Sequence, residues 1–358
     1  MKKIIIILFI VTINNIIFAQ NDSSAKLQVS GYAEIYYLLN FNMPDNNTQP
    51  GFIYSHNRHN EFNLNLGFIK AAYATDRVRA NLSLMAGTYA NANLAAEPGV
   101  LKNIYEANAG FKISKENNVW IDAGILPSHI GFESAISKDC ATLTRSILAE
   151  NSPYYESGVR LSYTSDNNKW FLAGLLLNGW QRIQRVEGNS LISGGTQITY
   201  KPTDNITLNS STFIGTDKPD TDRKMRYFHN FYGIFNLSDK FSATAGFDFG
   251  FEQTAMDTSE YNNWYSPVII LKYAINNKHA IAARGEYYAD ENEVIIATGF
   301  PDGFKASGFS LNYDCKITEN SVWRIEGRII SASDSIFVNN EEIVKILPFA
   351  TTSFAISF

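Results

Sequence analysis

Charged side chains that could act on a passing solute recur at every second position in several stretches of this sequence. Arg324, Glu326 and Arg328 are two apart, as are Arg284 and Glu286. Arg79, Glu106, Asp122 and Arg160 each fall on the polar side of their own segments, and so do Glu34 and Glu61. Side chains two apart share a face only on a β-strand, so these residues line one side of a sheet. Opposed rows of acid and base along a water-filled bore set a transverse field and tune ion preference. Any water-filled lumen is polar as well, so a single charge among them needs no selective role. A second charged group, His129, Glu133, Lys138, Asp139, Arg145 and Glu150, lies in one long stretch without alternation, residues 127–153. A segment of that kind inside a compact structure is functional or irregular surface.

Few residues suggest bond-making chemistry. His56-Asn57-Arg58-His59 has no third ligand at a recognisable spacing, so neither metal nor cofactor is expected. There is no G-x-S-x-G elbow and no P-loop, and no residue is singled out as catalytic. A spatial set of Ser, His and Asp on a barrel wall stays open. Nucleic acid is not an expected partner, because the chain is acidic and carries no basic cluster. Cys140 and Cys315 are the only cysteines. The strand map puts Cys140 in an outer loop and Cys315 in an inner turn, at opposite ends, so they are not expected to bond.

The elements that must position these charges are strands. From Phe241 to Glu252 the odd positions are Phe241, Ala243, Ala245, Phe247, Phe249 and Phe251. The even ones are Ser242, Thr244, Gly246, Asp248, Gly250 and Glu252. One face is apolar and the other polar or small, a period of two. The same split recurs at Leu27–Tyr37, Val78–Gly87 and Trp323–Ile329. Each segment is roughly ten residues long, enough to cross a bilayer when tilted. Short connections with turn chemistry, such as Thr75-Asp76, Lys201–Asn205 and Leu237–Lys240, alternate with long ones near 41–60, 91–103, 127–153, 178–190, 216–224, 253–263, 289–303 and 331–346. Seven short and eight long links imply about sixteen strands with both termini on the short-turn side. The fold class is therefore all-β: a transmembrane antiparallel β-barrel with short periplasmic turns and long outer loops. A soluble β-sandwich also alternates. The unbroken short–long rhythm and the aromatic residues at strand ends (Tyr155, Tyr163, Tyr200, Trp264, Tyr273, Tyr313) weigh against it.

Two places break the parity. Lys70 falls on the face of Phe62, Leu64, Leu66 and Phe68, which calls for a bulge or an early strand end. Met225–Asn236 mixes Arg226 and His229 across both faces and receives no orientation. Because an open sheet edge is not viable in hydrocarbon, the first strand, Lys26–Leu39, must pair with the last, Phe349–Phe358.

At the N-terminus, Lys2 and Lys3 precede a largely apolar run, Ile4–Phe18, and the small Ala19. That is the pattern of a secretory signal peptide, residues 1–19, leaving 20–358 as a single barrel domain. Of 358 residues, 45% are hydrophobic, 13% aromatic and 18% charged, with mean hydropathy −0.15. After the leader no apolar run reaches the ~20 residues a helical span needs, which excludes a polytopic helical membrane protein. Without Lys2 and Lys3, 28 basic residues face 35 acidic ones, a formal charge of −7.

Three stretches carry a family resemblance: Val119-Trp120-Ile121-Asp122-Ala123-Gly124, Pro153-Tyr154-Tyr155-Glu156-Ser157-Gly158-Val159-Arg160 and Asn178-Gly179-Trp180-Gln181. With them the mature chain resembles the OmpL-like outer-membrane β-barrel porins. The resemblance implies passive diffusion of small hydrophilic solutes or ions across the outer membrane of a Gram-negative bacterium, and it names no substrate. The terminal Phe358 after alternating apolar residues is similar to the signal that barrel-assembly machinery recognises in this class. By analogy with general porins, the third outer loop, 127–153, is the candidate constriction, with His129, Glu133, Asp139, Arg145 and Glu150 on it. An ordinary surface loop is the competing reading. Outer-membrane lipids are the expected surroundings. A homo-oligomer stays open, since a subunit interface and a lipid-facing surface are both apolar. A structural or adhesin barrel and a barrel hydrolase are the alternatives.

Overall fold

The computed structural model describes residues 25–300, 302–339 and 342–358. The proposed leader, 1–19, lies outside the described residues. Sixteen antiparallel strands close into one barrel. In chain order they are β1 (Lys26–Asn40), β2 (Phe62–Ala74), β3 (Val78–Ala86), β4 (Ile104–Lys112), β5 (Asn118–Pro127), β6 (Tyr155–Thr164), β7 (Trp170–Leu177) and β8 (Ser193–Thr203). There follow β9 (Ile206–Gly215), β10 (Arg226–Asn236), β11 (Phe241–Gln253), β12 (Tyr261–Ala274), β13 (His279–Asp290), β14 (Phe304–Thr318) and β15 (Ser321–Ala332). A hairpin of β16 (Phe337–Asn339) and β17 (Glu342–Val344) stands apart in the last long loop, and β18 (Ile346–Ser357) completes the wall.

The closing seam pairs β1 with β18, from Tyr32 opposite Ser357 to Asn40 opposite Phe349. Beyond the strand end, Gly31 and Phe358 exchange both backbone hydrogen bonds, at 2.9 and 3.0 Å. The Phe358 ring covers Gly31, so that a Cβ there would lie 2.2 Å from it and the exposed ring would have to turn aside. The ring itself stays outside with Phe354 and Ile356, the three 70%, 43% and 43% exposed.

Parity runs as the sequence pattern implies on most strands, with large exposed residues such as Leu82, Ile269, Leu311 and Ile325 outside. A bulge re-aims β2. Glu34 pairs with Leu66 and Ile35 with Leu64, leaving Asn65 as the extra residue. Asn65 and Leu66 are both fully buried, and from there Leu66, Phe68 and Lys70 face inward while Ile69 faces out. The apolar Leu66 and Phe68 are thus interior residues, contrary to the sequence reading. Tyr105 is the extra residue of a second bulge, between β3 and β4, and its ring stacks on Phe68 at 4.9 Å. β10 also gains an orientation. Arg226 points inward to Glu252 at 2.6 Å, and His229 points outward to Ser210 at 2.7 Å, beside Phe231.

The interior is not uniformly wet. Inward residues of the outer half, among them Leu175, Leu177, Phe213, Phe228, Trp264 and Phe349, pack with Phe52, Ile130 and Ile147 from the loops into one apolar cluster.

Candidate functional site

The segment after β5 turns into the barrel instead of away from it. Its backbone is extended and irregular, broken by single turns at Ser137–Asp139 and Ile147–Glu150. Buried backbone groups of such a segment need partners that no strand supplies. The inward charges of β13 and β15, with Asn312 of β14, supply them.

Arg324 donates to the carbonyls of Ser137 (2.5 Å), Cys140 (3.1 Å), Ala141 (3.2 Å) and Thr142 (3.3 Å). Arg284 donates to the Thr144 carbonyl (2.7 Å) and the Thr142 hydroxyl (3.0 Å). Arg328 donates to the Arg145 carbonyl (2.8 Å). The acids serve the opposite polarity: Glu326 accepts from Thr144 N (2.5 Å) and Glu286 from Ile147 N (2.6 Å), while Asn312 accepts from Leu143 N (3.0 Å). These wall charges also pair among themselves, Arg284 with Glu326 (2.9 Å) and Glu286 (3.3 Å), and Arg328 with Glu286 (2.6 Å). All five are 7% exposed or less.

Both ends of the loop are anchored as well. His129 bonds Glu156 (2.6 Å) and the Thr212 carbonyl (2.8 Å), and Asn230 accepts from Gly131 N (3.2 Å). On the far side Ser137 bonds Glu34, which also meets His56 at 3.2 Å. Within the loop, Arg145 ties together the carbonyls of Leu143, Ser134 and Ala135, and Glu133 holds Ser146. Glu150 accepts from Tyr54 N (3.0 Å) and Ser55 N (3.2 Å). Burial pushes the Glu150 carboxyl up to about 7 against these hydrogen bonds. Asp139 is the exposed acid of the group.

The other named charges are not under the loop. On β2–β6, Lys70 pairs with Glu106 at 2.6 Å, and Asp122 holds Arg79 at 2.6 Å and Arg160 at 3.2 Å. The three cations keep 28%, 33% and 23% of their side chains exposed. Arg79 lies 4.2 Å above the Trp120 ring. Glu61 pairs with Arg58 at the rim.

Open chambers remain on both sides of the loop. The inner one, about 480 Å³, lies against the inner ends of β11–β15. The outer one, about 400 Å³, is lined by Tyr54, Glu150, Tyr155, Trp180, Arg182, Asp217 and Arg226. The Arg226 guanidinium lies between the Trp180 and Trp264 rings, 5.3 and 5.7 Å away. The sequence reading gave no site role to Trp180, Arg226 or the inner-mouth lysines Lys240, Lys278 and Lys316. The lysines had a signal, since Lys201, Lys240, Lys278 and Lys316 recur at successive inner turns and strand ends.

Cys140 is drawn down inside the barrel beside Arg324, whereas Cys315 is on β14 and faces outward, next to Asp314. They are not at opposite ends as expected; the barrel wall separates them, and both are free. His56 and His59 turn to different partners, Glu34 and Asn40 N (2.9 Å). No group of potential metal ligands occurs among the described residues. The Ser210–His229 hydrogen bond has no carboxylate bonded to its imidazole among the described residues and faces outward.

A family model described as "Putative beta-barrel porin-2, OmpL-like" matches residues 26–358. A comparison with curated proteins gave no match. Among solved structures, the outer membrane channel DcaP of Acinetobacter baumannii is similar at 10% identity and a TM-score of 0.61, covering 94% of this chain and 98% of that one. OmpT of Vibrio cholerae in its trimer form has 8% identity and a TM-score of 0.60, covering 94% and 100%. The anion-selective porin from Comamonas acidovorans has the same identity, TM-score and coverage. These structures share the barrel, and the family match over residues 26–358 places this chain in the OmpL-like β-barrel porin-2 family, as a passive channel.

Proposed function

We propose that the chain is exported by a signal peptide at 1–19, that 20–358 forms one barrel in the outer membrane of a Gram-negative bacterium, and that segment 127–153 is its constriction. Assembly machinery would engage the strand ending in Phe358, outer-membrane lipids would cover the apolar belt, and protomers would associate as homo-oligomers, as OmpT does in its trimer form. The observation that carries the constriction is the seating of the loop: its backbone is bonded across the lumen to β13, β14 and β15, and by Ser137 to β1. Small hydrophilic solutes or ions then pass beside β2–β6, where the partly exposed Arg79 and Arg160, with the buried Glu106 and Asp122 of the same wall, act on them together with Asp139 on the loop. Arg284, Glu286, Arg324, Glu326 and Arg328 shape that route by fixing the loop.

A plugged structural barrel is the second reading, favoured by the apolar cluster in the outer half. Planar-bilayer recording of the full mature chain separates the two. Small, reproducible single-channel steps support a narrow pore, and a silent barrel overturns it.

A further inference from the structure

We infer that the inner chamber is a binding site for small multivalent anions and biases the channel toward them; the bias rests on the channel reading, whereas the binding does not. The chamber of about 480 Å³ is faced by six cationic side chains, Lys138, Lys240, Lys272, Lys278, Lys316 and Arg324, and three acids, Asp239, Asp314 and Glu319, an excess of three positive charges. Asp314 is already held by Arg324 at 2.7 Å and by Lys272 at 3.3 Å. Lys138 reaches only the Ser357 hydroxyl, at 2.6 Å. Among the described residues, Lys138, Lys240, Lys278 and Lys316 have no ion-pair partner within 4.0 Å.

The excess follows from the topology. The β10–β11 connection delivers Lys240, the β12–β13 connection Lys278, and the end of β14 Lys316, while the seated loop brings Lys138 down from above. A cleft lined by one sign of charge and walled by protein focuses its field and concentrates counter-ions. Lysine ammoniums are compact point charges on flexible stems, so they suit an oxyanion without fixing one geometry. The outer chamber has a smaller excess, one positive charge, with Arg182, Lys218 and Arg226 against Glu150 and Asp217. There Arg182 meets Asp217 at 3.5 Å, and Arg226 meets Glu252 at 2.6 Å. A solute with two or more negative charges, such as a phosphate or a polycarboxylate, therefore gains more at the inner mouth than at the outer one.

The test takes the full mature chain in two measurements. In detergent, inorganic phosphate is titrated at about 20 mM ionic strength, where screening is weak, and binding is read by phosphorus NMR line width. Saturable binding is expected, weakened at least about tenfold by the triple change K240Q, K278Q and K316Q, a difference of ~1.4 kcal/mol. In planar bilayers under a KCl gradient, the reversal potential should lie on the chloride side and move toward zero in the triple variant. Phosphate added at the inner mouth should reduce the current. No phosphate binding, or equal binding in the triple variant, overturns the site whether or not the barrel conducts. Binding with an unchanged reversal potential in the variant overturns the bias. Binding with silent bilayers upholds the site and removes the channel reading instead.

Discussion

Two walls of the barrel both carry inward acids and bases and use them differently. On β13–β15, Arg284, Arg324 and Arg328 with Glu286 and Glu326 are buried and hold a loop. On β2–β6, Lys70, Arg79 and Arg160 with Glu106 and Asp122 form pairs whose cations stay open to water. The first wall works as a surrogate sheet edge, with arginines meeting carbonyls and glutamates meeting N–H groups of a segment that has no ladder of its own. The second is left for a solute. An inward charge becomes a pore residue or an anchor according to what covers it.

Removing an anchor should break the contrast most strongly. Arg284→Ala leaves Glu326 and Glu286 short of a buried partner and takes one of two donors from the Thr144 carbonyl, a loss of ~3–5 kcal/mol when one member of a buried pair is deleted. Amide exchange over 137–147 should accelerate by about a hundredfold or more, and unit conductance should rise as the loop leaves its seat. Unchanged exchange would mean that the loop is held by its ends alone. Arg79→Ala, by contrast, removes a partly exposed pair worth at most about 1 kcal/mol. It should alter reversal potential and leave exchange alone.

Acids on the loop divide in the same way. Asp139→Asn removes the exposed carboxylate and should shift the reversal potential toward anions. Glu133→Gln removes a buried partner of Ser146 near Arg284 and should loosen the loop first. Equal electrical effects of the two changes would sink the division between lining and anchoring residues.

A pH effect should appear at Glu150. Its folded value, about 7, is above that of an exposed glutamate, so the docked state holds the proton longer than the undocked state. Docking is then strongest in acid and weakens by ~1.4 kcal/mol per unit as pH rises from about 5 to about 7, with no further loss above. Exchange at 147–151 should follow that curve, and Glu150→Gln should flatten it. A wild-type curve that stays flat would show that the Tyr54 and Ser55 amides keep the carboxylate ionised.

Most of the barrel could be read from local pattern, because alternation, turn chemistry and link lengths are properties of neighbouring residues. Strand number followed from them, as did the need for a bulge or an early strand end near Lys70, while closure of Lys26–Leu39 on Phe349–Phe358 followed from the cost of an open edge in hydrocarbon. The site was legible as a set of inward charges and a candidate loop, without the contacts between them. Which of them meet water depends on where 127–153 folds, and that depends on contacts more than a hundred residues away in sequence, such as Ser137 with Glu34 and Arg324 with Cys140. One local signal did mark the filled half of the lumen. Trp170–Leu177 has no polar face, which a strand between lipid and water would need, and its inward Leu175 and Leu177 pack in the apolar cluster.

The smallest change sharpens the comparison at its margin, where the bulge of β2 delivers Lys70 into the open wall. Lys70→Gln removes one ammonium 28% exposed and leaves Glu106 with Asn108, whose Nδ2 donates to it at 3.0 Å. Glu106 keeps a hydrogen bond, so stability should change by less than about 1 kcal/mol. Its charge is no longer neutralised, so the local field turns more negative. The reversal potential should move by a few millivolts toward cations, by less than in Arg79→Ala, because Lys70 is less open to a passing ion, 28% exposed against 33%. A shift larger than that of Arg79→Ala would place the narrowest part of the route at the level of the bulge, beside the stacked Phe68 and Tyr105, and not at Asp122.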